Sequence, residues 1–112
     1  MSLDADSDER RVLGEIVRRI LSVADPDRII LFGSRARGEA APGSDYDLLV
    51  VAPSNRPRLK RALPLVRELA DLPVPKDVVW WTPSEIDEWR VVPSHFIATA
   101  LREGRVLYER AT

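Results

Sequence analysis

Cysteine is missing from all 112 residues, which removes disulfides, Cys-ligated zinc and thiol nucleophiles. A dominant charge is missing too. Seventeen Lys and Arg stand against 18 Asp and Glu, a formal net of −1, so no global field draws the chain to nucleic acid or a membrane surface. No window approaches the roughly 18 consecutive apolar residues of a membrane span. Met1-Ser2-Leu3-Asp4 is acidic and lacks the apolar run of a signal peptide. The expectation is a cytoplasmic protein with no membrane association. The rest of the composition, 45% apolar and 31% charged, is that of an ordinary globular chain. The length suits one domain, residues 1–112, with one modest core and no room for a separate substrate domain.

Local patterning gives an α/β (α+β) order. Leu13, Ile16, Val17, Ile20 and Leu21 form one helical stripe within Asp6–Ala24, with Asp6, Ser7 or Asp8 as candidate caps and Asp25-Pro26 as the stop. Arg28-Ile29-Ile30-Leu31-Phe32 reads as a buried strand ending at Gly33, and Gly33 to Ser44 as a loop with a turn or two of helix. A central strand is expected over Asp45–Ala52. A helix follows over Arg58–Asp71, with Leu59, Leu63, Val66 and Leu69 on one face. Pro64 inside it costs about 3 kcal/mol, which predicts a kink or a start near Ala62. A third strand, Asp77–Trp81, precedes a short helix opened by a capping box at Ser84-Glu85-Ile86-Asp87. Ser94–Arg102 predicts another helix stopped by Gly104, and Val106-Leu107-Tyr108 a small last strand.

The chemistry concentrates in Gly33-Ser34-Arg35-Ala36-Arg37-Gly38 and, after a short gap, Ser44-Asp45-Tyr46-Asp47-Leu48. Asp45 and Asp47 are two apart on a predicted strand, so both carboxylates project from one face. Side by side they repel, and a divalent cation relieves that repulsion; paired oxygen ligands suit Mg²⁺ bound with substrate phosphates. Asp77 joins them if the third strand pairs beside the second, and three carboxylates can hold two metal ions for in-line displacement at phosphorus. Gly33 lets backbone approach a phosphate, with N–H groups and the Ser34 hydroxyl as donors. Arg35 and Arg37 offer bidentate contacts to a leaving pyrophosphate. The stretch is neither a P-loop, which needs Gly-Lys-Ser/Thr, nor a dinucleotide fingerprint.

Together these segments resemble the signature of the DNA polymerase β-like nucleotidyltransferase superfamily, and within it the minimal nucleotidyltransferases (MNT). The resemblance spans nearly the whole chain. It implies a mixed, mostly antiparallel sheet with helices packed on one face. It also implies two Mg²⁺ ions on Asp45 and Asp47, with Asp77 on the catalytic ion and assisting deprotonation of the attacking hydroxyl. ATP as donor would be held by Gly33 and Ser34, with Arg35, Arg37 and Ser44 completing the nucleotide-binding set. Minimal proteins of this group are often antitoxins that add AMP to a tyrosine of a helical HEPN-type toxin, which makes such a toxin the expected partner. The chain ends about thirty residues after Asp77, so an acceptor pocket is expected from that partner or a second copy. Two alternatives stand beside this reading. One is a non-catalytic module that neutralises its partner by contact alone. The other is a small-molecule nucleotidyltransferase, of the aminoglycoside-modifying kind, with a separate helical subunit.

Each feature also has a plainer reading. Asp-x-Asp can flank a turn, Asp77 can pair with Lys76 or an arginine, Gly33 and Gly38 can serve turns, and Arg35 and Arg37 can be a solvated face. Trp80 and Trp81 face opposite ways on a strand, so at most one could stack on a base, and a core role is expected for them. His95, the one histidine, reads as a surface or capping residue, and Tyr108 as core.

Overall fold

A computed structural model describes residues 3–111. The chain runs α1 (Leu3–Val23), β1 (Arg28–Phe32), β2 (Tyr46–Val51), α2 (Arg58–Arg61), α3 (Leu63–Leu69), β3 (Lys76–Trp81), α4 (Pro83–Trp89), α5 (Phe96–Glu103) and β4 (Arg105–Glu109). The strands form one sheet in the order β3-β2-β1-β4. β1 pairs antiparallel with β2 and β4, while β2 and β3 run parallel. The fold is α+β with a mixed, mostly antiparallel sheet, as the family resemblance implies.

Both faces of that sheet are covered, where one helical layer was expected. On one face, Leu13, Ile16 and Ile20 of α1 and Leu65 and Leu69 of α3 pack against Ile29, Leu31, Leu48 and Val50. On the other, Ile86 of α4 and Ile97 and Ala100 of α5 pack against Ile30, Leu49, Val51 and Trp81. The cause lies in β2 itself. Leu48-Leu49-Val50-Val51 is apolar at every position, so alternation points large side chains both ways, and both sides must be shielded from water. Each fully buried Leu, Ile or Val contributes about 1.5–3 kcal/mol, more than the short helices α4 and α5 could supply from propensity.

Helix boundaries follow local chemistry with informative shifts. α1 begins by Leu3, so Asp6, Ser7 and Asp8 lie within its opening turns instead of capping it; its cap position falls outside the described residues. The predicted 58–71 helix splits at Ala62, with Pro64 in the first turn of α3, where its missing N–H has no partner to lose. The break turns Leu65 and Leu69 inward and leaves Leu59, Leu63 and Val66 exposed (94%, 46% and 50%), which reverses most of the expected stripe. The capping box uses Thr82 with Glu85, two residues earlier than Ser84 with Asp87. The same Glu85 pairs with Arg61, a buried side chain that also donates to the Arg56 carbonyl (2.8 Å). Those two acceptors tie the loop before α2 to the start of α4.

At its other end α5 stops at Gly104 with an ordinary φ of −74°. Contact requires the glycine there: a Cβ would lie 2.2 Å from the Ala100 carbonyl and 2.6 Å from Ile30 Cγ2. His95 caps α5, its Nδ1 accepting from the Ile97 N–H at 3.1 Å, as the sequence suggests. Trp81 is buried, and Trp80 donates its Nε1–H to the Ala52 carbonyl at 2.8 Å. Tyr108 packs on the α1 side of the core.

Candidate functional site

The sheet register assembles the acidic residues. Asp47 lies directly across from Asp77 on β3 and from Phe32 on β1. Asp77 and Asp47 share the face that carries Val79, Leu49 and Trp81, the side covered further along by α4 and α5. Asp45 stands one residue ahead of β2 and two ahead of Asp47, at the same end. The row therefore crosses the sheet as Asp77, Asp47, Phe32, where β2 and β3 begin and β1 ends. Parallel pairing of β2 with β3 is what brings Asp77 there from thirty residues away.

Electrostatics mark this row as a place of unrelieved negative charge. The Asp47 carboxyl is pushed up from the ordinary aspartate value, first by burial, then by the charges of Asp77 and Asp45, with Arg37 opposing. Asp45 and Asp77 are exposed, Asp47 is half-buried, and among the described residues none of them forms a salt bridge. Lys76, the plainer partner for Asp77, instead donates to the Leu72 and Val74 carbonyls at 2.9 and 3.2 Å.

Gly33 closes the site from the β1 side. Its φ is +75°, and a Cβ built on it would lie 2.2 Å from Asp47 Oδ2. The glycine thus serves two needs at once: a left-handed turn directly after the strand, and bare backbone against a carboxylate. The chain then coils tightly, the Ala36 and Arg37 N–H groups donating to the Gly33 carbonyl at 3.1 and 3.2 Å and Glu39 N–H to Ser34 at 2.9 Å. Among the described residues, the Ser34 and Arg35 N–H groups at the mouth of this coil donate to no backbone carbonyl. Free donors beside a bare glycine suit an anion. Gly38, at φ +71°, ends the coil as a turn glycine.

The two arginines of the motif part company. Arg37 pairs with Glu39 (2.8 Å) and with Glu103 at the end of α5 (3.7 Å), and its charge reaches Asp47. Arg35 lies on the α1 side instead, its guanidinium 3.9 Å above the Tyr46 ring and its Nε–H donating to the Ser44 carbonyl at 3.0 Å. Tyr46 points away from Asp47 by strand alternation and sits in the α1 layer, so Arg35 braces the loop from behind. Ser44 braces it too, its Oγ accepting from the Ala41 N–H at 2.9 Å. Arg35 and Ser44, both expected in the nucleotide-binding set, thus support the loop. Glu103 is the neighbour that sequence reading misses; only the packing of α5 across β1 brings it to Arg37.

The donor set is all carboxylate oxygen, which suits a hard divalent cation such as Mg²⁺. Among the described residues, no group of three or more His, Asp or Glu side chains is gathered closely enough to hold a metal ion by itself. An open row of carboxylates fits an ion that keeps water and takes phosphate oxygens as its remaining ligands.

Residues 10–107 match the profile of the nucleotidyltransferase domain. The chain belongs to the nucleotidyltransferase-domain family. The sequence matches no curated relative at a significant level. Similar solved structures include a protein from Sulfolobus solfataricus assigned as a nucleotidyltransferase, at TM-score 0.67 and 22% identity, covering 98% of this chain and 91% of that one. A toxin–antitoxin structure with AMP-PNP follows at TM-score 0.62 and 19% identity, covering 88% of this chain and 73% of its own. A mutant of the MntA–HpeT toxin–antitoxin pair gives TM-score 0.58 and 17% identity with the same coverage. At these identities the likeness is one of fold, and the nucleotidyltransferase fold is the one this chain has. Family and fold support an enzyme of nucleotidyl transfer. Among the described residues no helix is long and apolar enough to cross a membrane.

Proposed function

We propose that this nucleotidyltransferase moves AMP from ATP to a hydroxyl of a protein partner in the cytoplasm, acting as the antitoxin of a toxin–antitoxin pair. The acceptor in this reading is a tyrosine of a small helical toxin of the HEPN type. The single observation that carries the chemistry is the row Asp45, Asp47, Asp77, with Gly33 bare against Asp47.

Asp45 and Asp47 would hold two Mg²⁺ ions, with Asp77 sharing the second. Bound there, the ions supply charge stabilisation to the phosphates and to the attacking oxygen. The turn at Gly33–Ser34 receives the β- and γ-phosphates on its free N–H groups, and Arg37 stands beside the departing pyrophosphate. The acceptor oxygen attacks the α-phosphorus, the bond from that phosphorus to the bridging oxygen breaks, and the hydroxyl proton passes to Asp77. A phosphodiester on the partner and free pyrophosphate result.

The partner reading draws on a second feature. Leu59, Leu63 and Val66 leave the outer side of α2 and α3 apolar and uncovered. A crevice of about 320 Å³ opens at that side, lined by Val66, Ala70 and Asp77 among others. A protein seated on this ridge brings a side-chain hydroxyl to Asp77 from the β3 edge. The toxin–antitoxin neighbours, one holding AMP-PNP, favour such a partner and an adenine nucleotide donor.

The test incubates the chain with α-labelled ATP, Mg²⁺ and the product of its neighbouring gene, with Asp47→Asn as control. Label on the partner that vanishes in the control supports the reading. A tight complex without label would instead assign neutralisation to contact alone.

A further inference from the structure

Asp47 has an aromatic neighbour on the same sheet face, and a chain of rings continues from it. Phe32, its register partner on β1, lies 6.0 Å from Phe96 (ring centroids), and Phe96 lies 5.3 Å from Trp81. Residues directly opposite in an antiparallel pair point to the same side with Cβ atoms about 5 Å apart. The Phe32 ring therefore stands next to the carboxylate row. Trp81 sits at the far end of β3, so Phe96, within reach of both rings, bridges the two ends of this sheet face. Trp81 is buried and Phe32 and His95 are half-buried, while Phe96 is 38% exposed at the first position of α5. The same helix ends at Glu103, which is paired with Arg37, so α5 forms one wall of the site along its length.

The layout fixes which part of a nucleotide meets that wall. The turn after β1 takes the β- and γ-phosphates beyond the end of the sheet, so ribose and base leave the α-phosphorus in the other direction, back over the sheet. Across the strands the order is Asp77, Asp47, Phe32. The β3 side belongs to the acceptor, and the β1 side, with Phe32 and Phe96, is left for the nucleoside. An exposed flat ring backed by three others is a surface on which a base stacks without hydrogen-bond readout. Resting on the nucleotide-transfer reading above, we propose that Phe96, supported by Phe32, is the stacking surface for the nucleobase of the donor nucleotide. Stacking strength grows with ring area, so purine triphosphates bind more tightly than pyrimidine ones, with little choice between adenine and guanine.

The experiment is titration calorimetry with Mg²⁺-ATP, Mg²⁺-CTP and Mg²⁺-tripolyphosphate on three proteins: wild type, Phe96→Leu and Phe96→Tyr. Leucine keeps apolar volume under Trp81 and removes the flat ring; tyrosine keeps the ring. The expected result is wild-type binding of ATP roughly ten-fold or more tighter than of tripolyphosphate. That advantage should disappear in Phe96→Leu, persist in Phe96→Tyr, and leave tripolyphosphate affinity unchanged in all three. Tripolyphosphate binding with ATP affinity untouched by Phe96→Leu overturns the stacking assignment while the phosphate site stands. Binding of neither ligand to wild type overturns the nucleotide reading and this inference with it.

Discussion

Replacing Gly33 by alanine separates two demands that the sequence places on one residue. The first is conformational: at φ +75° an alanine pays roughly 1–2 kcal/mol relative to glycine. The second is contact: the new Cβ would stand 2.2 Å from Asp47 Oδ2 and 3.2 Å from its Cγ. No real structure tolerates 2.2 Å, so the carboxylate must swing off β1 and out of line with Asp77. Gly38 supplies the control. It has nearly the same φ, +71°, but no atom within 4 Å of a built Cβ, so Gly38→Ala carries the strain without the collision.

Both variants should therefore lose about 1–2 kcal/mol of stability, which for a domain this size lowers Tm by about 3–6 °C per kcal/mol. Ligand-induced stabilisation should divide them. Saturating Mg²⁺-ATP should raise the Tm of wild type and Gly38→Ala alike, because a ligand that binds only the folded state stabilises by mass action. Gly33→Ala should show little or no such rise. Thermal melts with and without Mg²⁺-ATP give all the numbers. Equal ligand-induced shifts in the two glycine variants would refute the claim that Gly33 holds backbone against a metal-binding carboxylate.

Other perturbations follow from the same geometry. Asp47→Asn should abolish metal-dependent transfer yet melt at or slightly above the wild-type temperature without metal, by at most about 1 kcal/mol, because the carboxylate is already disfavoured by burial and by Asp77 and Asp45; a large loss of Tm would contradict this. Glu85 is held down to about 2, first by its hydrogen bonds to Arg61 and then by the Thr82 N–H, against an ordinary value of 4.5. A lowered folded-state value means its contribution is complete above pH about 4.5 and lost as pH falls toward about 2, so urea melts of wild type should weaken across that window. Glu85→Gln, losing the ion pair with Arg61 while keeping an oxygen for the Thr82 N–H, should cost about 2 kcal/mol near neutral pH and flatten the acid limb. Gly104→Ala, driven into Ala100 and Ile30, should destabilise by about 1–3 kcal/mol, whereas Gly14→Ala, with open space inside α1, should stabilise by about 0.5–1 kcal/mol; paired chemical melts check both signs.

What the sequence made legible was whatever depends on near neighbours. Alternation alone put Asp45 and Asp47 on one face, the Gly-Ser turn announced itself after an apolar strand, and Pro64 foretold a broken helix. What stayed hidden depends on how elements meet. Arg35 and Arg37 occupy one short coil, and no local rule says that Tyr46 draws the first behind β2 while Glu103 draws the second to the site. The stripe through Leu59, Leu63 and Val66 was real as periodicity, but the break at Ala62 rotates the second half, and burial is decided by which side meets α1. There Arg19 bonds the Glu68 carbonyl at 3.1 Å and pairs with Asp71. The two-sided core was the one long-range fact within reach, since four consecutive apolar residues in β2 cannot all face a single helical layer.

That second layer changes what the site can be. Were α1 and α3 the only cover, the carboxylates would lie on an open sheet face and substrate would meet a flat surface. With α4 and α5 on the carboxylate side, the face is closed over Leu49 and Val51 and open only over its last pair of residues, Asp47 and Asp77. A half-closed sheet leaves one end to serve as floor and α5 as wall. Asp47 is thereby partly desolvated, which strengthens its interaction with any bound cation and raises the penalty for leaving it unneutralised. The residues that close the core and those of the candidate carboxylate row thus lie together on the same strand. Substitutions at Leu49 or Val79 should therefore act on nucleotide affinity as well as on stability.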